Sequence, residues 1–297
     1  MAIGLSMQIP EVFTLGHSPD PDDAFMFYAL AKDKIDTHGY KFEHILQDIQ
    51  TLNERATRGE LHISAISIHA YAYVLDKYAL LPCGASMGDG YGPMVIGLTR
   101  DGLAENAGDD EIRAWLKGKR IAIPGAMTSA ALALWLYLGE KPENSVVVPF
   151  DEIFDYVRDG KADVGLIIHE GQLTYARDGF LKIVDFGEWW KNKTGWPLPL
   201  GGNVIRKDIP PALRSELNEI LYRSVKFGLE DRVAGVEHAM PLARGMDTTL
   251  ADQFIGMYVN DYTLDYGESG RASIRLFLSE GHRLGFLPAP VELEFVS

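Results

Sequence analysis

Cysteine is all but missing from this sequence. Cys83 stands alone among 297 residues, which excludes an internal disulfide framework and a cysteine-rich metal site. Positive charge is also scarce. Lys and Arg number 28 against 42 Asp and Glu, a formal charge of −14, so the basic footprint of a nucleic-acid binder is absent. A basic amphipathic helix for a membrane surface is absent too. No run approaches the ~18 apolar residues of a membrane span. The start, "MAIGLSMQIPEVF", has no basic region followed by a long apolar stretch and reads as lacking a secretory signal. The expected compartment is the cytosol. No GxxxxGK followed by Ser or Thr occurs, and no convincing GxGxxG follows a strand. The histidines show no HxH or HExxH pairing, which speaks against a metal site.

What is present is an apolar fraction of 46% in a chain longer than one hydrophobic core usually sustains, so two domains are expected. Strand and helix signals alternate. "EVFTLGH", "YKFEHILQ" and "LHISAISI" read as strands. "DDAFMFYALAKDKI", "IQTLNERATRGE" and "HAYAYVLDKYA" read as the helices between and after them, the first capped by an aspartate. After the glycine-crowded "CGASMGDGYG", the strand "MVIGLT" leads onward, and the rhythm restarts beyond "DGLAENAGDDEI". "KRIAIPG", "NSVVVPF", "ADVGLIIHE" and "LKIVDFGEWW" read as strands, with helices at "MTSAALALWLYLGE" and "DEIFDYVRDGK". "LPLGGNVIRKD" then leads into three helices near 210–235, 249–261 and 267–285. One βα unit interrupted by another implies an α/β, two-lobed clamshell of mixed sheets flanked by helices. The expected larger lobe is 1–97 with 204–297, and the smaller is 98–203.

Ligands in open α/β sheets bind beyond the carboxyl ends of strands. The first exit, "HSPDPDD", offers His17, Ser18 and three aspartates. The others offer Ser64 and Ser67, then Thr128 and Ser129, then His169, Glu170 and Gln172. Three of the four run straight into helices, and none carries a lysine or arginine. Helix starts present unpaired amides and partial positive charge, and hydroxyls add donors. Such a site suits a small-molecule carboxylate and suits a triphosphate poorly. Taken singly, Ser67, Thr128 and Ser129 are also ordinary N-caps, and "SPDPDD" is also an ordinary proline turn before a helix. Their recurrence at several exits points to a site. His169 ends an apolar strand, where it is either a satisfied polar residue or a proton acceptor. The tryptophans of "EWWKNKTGWPLPLGGN" either line an apolar cleft or fill the core between lobes. Cys83 reads as structural.

Seven segments in order, "HSPDPDDAFMFYAL", "SAISIHAYAYV", "GPMVI", "IPGAMTSAALAL", "LIIHEGQLTY", "WPLPLGGNVI" and "YVNDYTLDYGESGRASI", resemble the 1,4-dihydroxy-6-naphthoate synthase family of the futalosine route to menaquinone. The resemblance runs from about residue 12 to 287. Members of that family often read "SPCPND" where this chain reads "SPDPDD", so Asp20 and Asp22 depart from the pattern. The resemblance implies the fold of type II periplasmic binding proteins, recruited as a cytosolic enzyme. It implies cyclic dehypoxanthinyl futalosine as substrate and 1,4-dihydroxy-6-naphthoate as product, with no cofactor and no metal. It assigns the general base to His169, a carbon–carbon lyase step to the reaction, and substrate contact to Ala65, Ile66, Ser67, Thr128 and Ser129. Ser18 and Asn203 join the expected contacts. A chorismate dehydratase of the same pathway, and a carboxylate-binding receptor without catalysis, are the rival readings.

Overall fold

The computed structural model describes residues 12–297. The reading of the first residues as leaderless, and Glu11 of the expected first strand, lie outside that range. Short runs rich in Ile, Val and Phe form the strands. The first sheet contains β1 (Val12–His17), β2 (Lys41–Leu46), β3 (Ile63–Ser67), β4 (Tyr78–Leu80) and β5 (Ser86–Gly88). The second contains β6 (Met94–Gly97), β7 (Ile121–Ile123), β8 (Ser145–Val147), β9 (Val164–Ile167) and β10 (Leu181–Asp185). The long strand β11 (Leu198–Arg206) returns to the first sheet.

Strand order in the first sheet is β2-β1-β3-β11-β4, with β5 beside β11; in the second it is β10-β6-β9-β7-β8. Where a helix carries the chain between strands, pairing is parallel, as in β1–β2, β1–β3, β7–β8 and β7–β9. Where the chain passes between sheets, the arriving strand runs antiparallel to its neighbours: β6 against β9 and β10, and β11 against β3, β4 and β5. The chain therefore changes sheet within 89–93 and returns within 186–197. The expected division at 97/98 and 203/204 separates β6 and part of β11 from their sheet partners, and we propose drawing the lobes by sheet membership instead.

The helix Ser129–Leu138 is buried along its whole length, the mark of an element enclosed on all sides. One core cluster joins it to Ile66 of the first sheet, Val95 of the second, and Trp190, Phe277 and Phe286 of later elements. This helix is the shared floor of both lobes. Several elements differ from expectation. The helix after Asp20 is interrupted at Phe27, giving Pro21–Met26 and Tyr28–Ala31. Tyr78 and Ala79, expected at the end of a helix, form a strand with Leu80 because β11 offers them a ladder. "FGEWW", expected as the exit of the strand before it, opens the helix Phe186–Thr194, capped by Asp185 through the amides of Gly187 and Glu188.

Candidate functional site

A cleft lies where β3, β11, the helix Ser129–Leu138 and the turn 18–23 meet. Seven expected contact residues line it: Ser18, Ala65, Ile66 and Ser67 from one side, with Thr128, Ser129 and Asn203. Met26, Ile49, Pro93, Ile168, Leu200 and Phe254 supply apolar wall. Among the described residues no lysine, arginine or histidine lines it.

Backbone and side-chain bonds hold the wall in place. Asn53 brackets Ser67: it accepts from the Ser67 amide at 2.9 Å and donates to Ser67 Oγ at 3.0 Å. The same Asn53 amide reaches the Met127 carbonyl at 3.4 Å, which ties Ser67 to the turn before Thr128. Ser67 thus keeps its own hydroxyl proton for a ligand. Thr128 is the N-cap of the helix Ser129–Leu138: its Oγ accepts from the Ala131 amide at 3.1 Å and donates to the Gly125 carbonyl at 2.8 Å. Ser129 Oγ donates to the Leu200 carbonyl at 2.5 Å and accepts from the His69 amide at 3.2 Å. Both hydroxyls are therefore engaged within the protein. The first amides of that helix, at Ser129 and Ala130, make no hydrogen bond among the described residues. Asn203 sits opposite Ala65 in the ladder. Its side chain lies over Gly84, where φ is +81° and a Cβ would stand 2.0 Å from Asn203 Nδ2; only glycine leaves that amide its place.

The turn "SPDPDD" is a wall of the cleft. Asp20 occupies the N-cap position of Pro21–Met26 without capping it. It accepts instead from Ser18 Oγ at 2.5 Å and pairs with Arg244 at 2.7 Å. Asp23 accepts from the Ser18 amide at 2.7 Å. Burial, with Asp20 beside it, pushes the Asp22 carboxyl up to about 7. Burial and the neighbouring Asp22 hold Asp23 well above the usual carboxylate range.

His169 is not brought to the cleft surface with the other seven. Its neighbours Ile168 and Gln172 line the cleft, while its ring lies between Phe150 and Phe154. Nε2 donates to the Phe150 carbonyl at 3.0 Å, and Nδ1 accepts from the Gly171 amide at 2.8 Å. Burial lowers its pKa, opposed by Glu170 and Asp20, so the imidazole is neutral and its one basic lone pair is taken. His17 turns away as well, with Nε2 3.0 Å from His44 Nδ1. Trp189 and Trp190 are core, Trp190 donating to Ser273 Oγ at 3.0 Å, and Trp196 is at the surface. Ser86 and Tyr258, which do line the cleft, escaped sequence reasoning. Tyr258 comes from a helix more than 50 residues beyond β11, and although it opens the quoted segment "YVNDYTLDYGESGRASI", it stands at no strand exit. Among the described residues no group of three His, Cys, Asp or Glu is placed to hold a metal ion. No helix there is long and apolar enough to cross a membrane.

Known proteins resemble this chain over nearly its full length. A family model described as menaquinone biosynthesis matches residues 13–283. A 1,4-dihydroxy-6-naphthoate synthase of Streptomyces coelicolor is 37% identical over 94% of this chain and 96% of its own. One from Thermus thermophilus is 38% identical over 94% and 98%. A crystal structure of an Archaeoglobus fulgidus protein superposes with a TM-score of 0.85 at 40% identity, covering 93% of this chain and 98% of that one. The alkanesulfonate-binding protein of Xanthomonas axonopodis pv. citri shares the fold at 13% identity, with a TM-score of 0.69 over 95% and 96%. The architecture is thus that of the periplasmic binding proteins.

Proposed function

This chain belongs to the menaquinone biosynthesis family, and from that premise we propose that it converts cyclic dehypoxanthinyl futalosine into 1,4-dihydroxy-6-naphthoate in the cytoplasm. The observation that carries the reading is a cleft without cations whose spare donors are neutral. The Ser67 hydroxyl, the Asn203 amide and the first two amides of Ser129–Leu138 suit one aromatic carboxylate. Apolar wall from Ile49, Pro93, Leu200 and Phe254 suits the ring that carries it.

In this reading a base takes a proton from the substrate, the carbon–carbon bond to the sugar-derived fragment breaks, and aromatisation drives the step forward. His169 is the acceptor. Its neutral ring fits the role, and Nδ1 must give up the Gly171 amide to perform it. The turn 168–171 therefore shifts as substrate enters.

Incubation of the protein with the cyclic futalosine derivative tests the reading. A naphthol chromophore should appear, and the sugar-derived fragment should be released with it. Tight binding without turnover would establish a receptor instead, and neither binding nor turnover would dismiss the substrate.

A further inference from the structure

Gln172 carries a donor that the protein itself does not use. The residue is 4% exposed and lines the cleft. Its Oε1 accepts from the Tyr258 hydroxyl. Its Nε2 is buried with no partner. Turning the amide over would leave both Oε1 and the Tyr258 proton unpaired, so hydrogen bonding itself favours the orientation that leaves the NH₂ group as the spare donor of this cleft-lining residue. A buried donor left unpaired costs free energy. That cost is recovered when a ligand oxygen accepts from it.

The surroundings say which oxygen. Tyr258 lines the cleft together with Asp20, Asp22 and Asp23. A carboxylate there would face acidic groups with no cation among the lining residues. A hydroxyl fits, since it accepts from Gln172 and donates to Asp22; a carbonyl satisfies the first contact alone. The carboxylate donors form a separate group: Ser67 and the turn before Ser129 are joined through Asn53. Among the described residues no hydrogen bond links that group to the Gln172–Tyr258 pair.

We propose that Gln172, held by Tyr258 and aided by Asp22, binds the oxygen-bearing, non-aromatic part of the substrate, away from the carboxylate donors. The inference rests on the functional reading above and deepens it. It makes the cleft two-ended and fixes which way round the substrate lies. Gln172 and Tyr258 are then specificity-determining residues for the part of the substrate that leaves as the sugar-derived fragment.

Two ligands separate the ends. The full substrate engages both, whereas 1,4-dihydroxy-6-naphthoate retains the carboxylate ring and has lost the sugar-derived part. Gln172→Met keeps length and removes the donor. It should raise the substrate KM about tenfold and leave the Kd of the naphthoate, read by its fluorescence, within about twofold of wild type. Tyr258→Phe keeps the ring and frees the Gln172 amide to turn away. It should show the same selective loss at about threefold or more, and it carries the test if Gln172→Met fails to fold. Equal weakening of both ligands, or an unchanged KM in both variants of an active protein, overturns the inference alone. A wild-type protein that neither turns over the substrate nor binds the naphthoate overturns the functional reading and this inference together.

Discussion

His169 is neutral for a physical reason: burial strips water from its ring and lowers its pKa below the ordinary 6.5. As proton acceptor it should lose function only as the ring is protonated. The kcat should stay level through neutrality and fall only in acid, at a lower pH than an ordinary imidazole would give. His169→Asn should fold and bind substrate, with kcat reduced about 10²–10⁴-fold; near-normal turnover would remove it from the chemistry. Asp22 has the opposite sign. Its folded pKa, about 7, lies above the unfolded 3.8. The folded state therefore holds a proton that the unfolded chain has released between those values. The stability this confers is complete below about pH 3.8 and is lost as pH rises through 7. Asp22→Asn removes that slope. In thermal melts the variant should gain on wild type from pH 5 to pH 8, and a constant difference across that range would show that Asp22 is not buried as described.

At the scale of elements, the helix Ser129–Leu138 depends on its first turn. Thr128 Oγ serves the Ala131 amide and the Gly125 carbonyl at once. Thr128→Val keeps the shape and deletes both bonds. It should lower stability by about 1 kcal/mol, and Thr128→Ser should restore it. Because the hydroxyl is occupied, substrate KM should change less than threefold in Thr128→Val, about the size of a perturbed neighbour rather than a lost ligand bond. A tenfold rise in KM with unchanged melting would instead make Thr128 a direct ligand. Capping was legible from the sequence, since Thr before an apolar run is a common helix start. The strand at Tyr78–Leu80 was not, because its partner β11 lies more than 110 residues away in sequence. Nor was the helix at Trp189–Trp190, whose two tryptophans mimic a strand exit.

Across the whole molecule, Arg244 joins parts that the chain keeps far apart. It pairs with Asp20 of the 18–23 turn at 2.7 Å and with Glu170, beyond β9, at 3.3 Å. Its guanidinium also stands 4.8 Å from the Phe150 ring centroid, the residue whose carbonyl holds His169. The turn after β1 and the turn after β9, one from each sheet, are thereby clasped together. Arg244→Gln leaves Glu170, largely buried, without its cation and should cost about 1 kcal/mol of stability. Without ligand, small-angle scattering should give the variant a larger radius of gyration than wild type, and the difference should close at saturating ligand. Identical ligand-free profiles would show that the clasp does not hold the lobes.

The α/β alternation, the return of the chain after an inserted unit, and the hydroxyls at strand exits were all written locally. Period, cap residues and turn residues act within a few positions, so Ser67, Thr128 and Ser129 could be read as exit residues before any contact was known. Which of their atoms remain free could not be read. Thr128 and Ser129 spend their hydroxyls on Gly125 and Leu200, whereas Ser67 keeps its proton because Asn53 approaches it as a donor. The direction of His169 was equally hidden. Successive strand residues face opposite sides, and only the packing of Phe150 and Phe154 decides that Ile168 meets the cleft and His169 does not. The sequence by itself determined the element rhythm and the chemical types at the strand ends. The tertiary structure alone decided which donors are spent, which carboxyls are crowded into holding protons, and which buried amide is left without a partner, because each depends on partners supplied by distant parts of the chain.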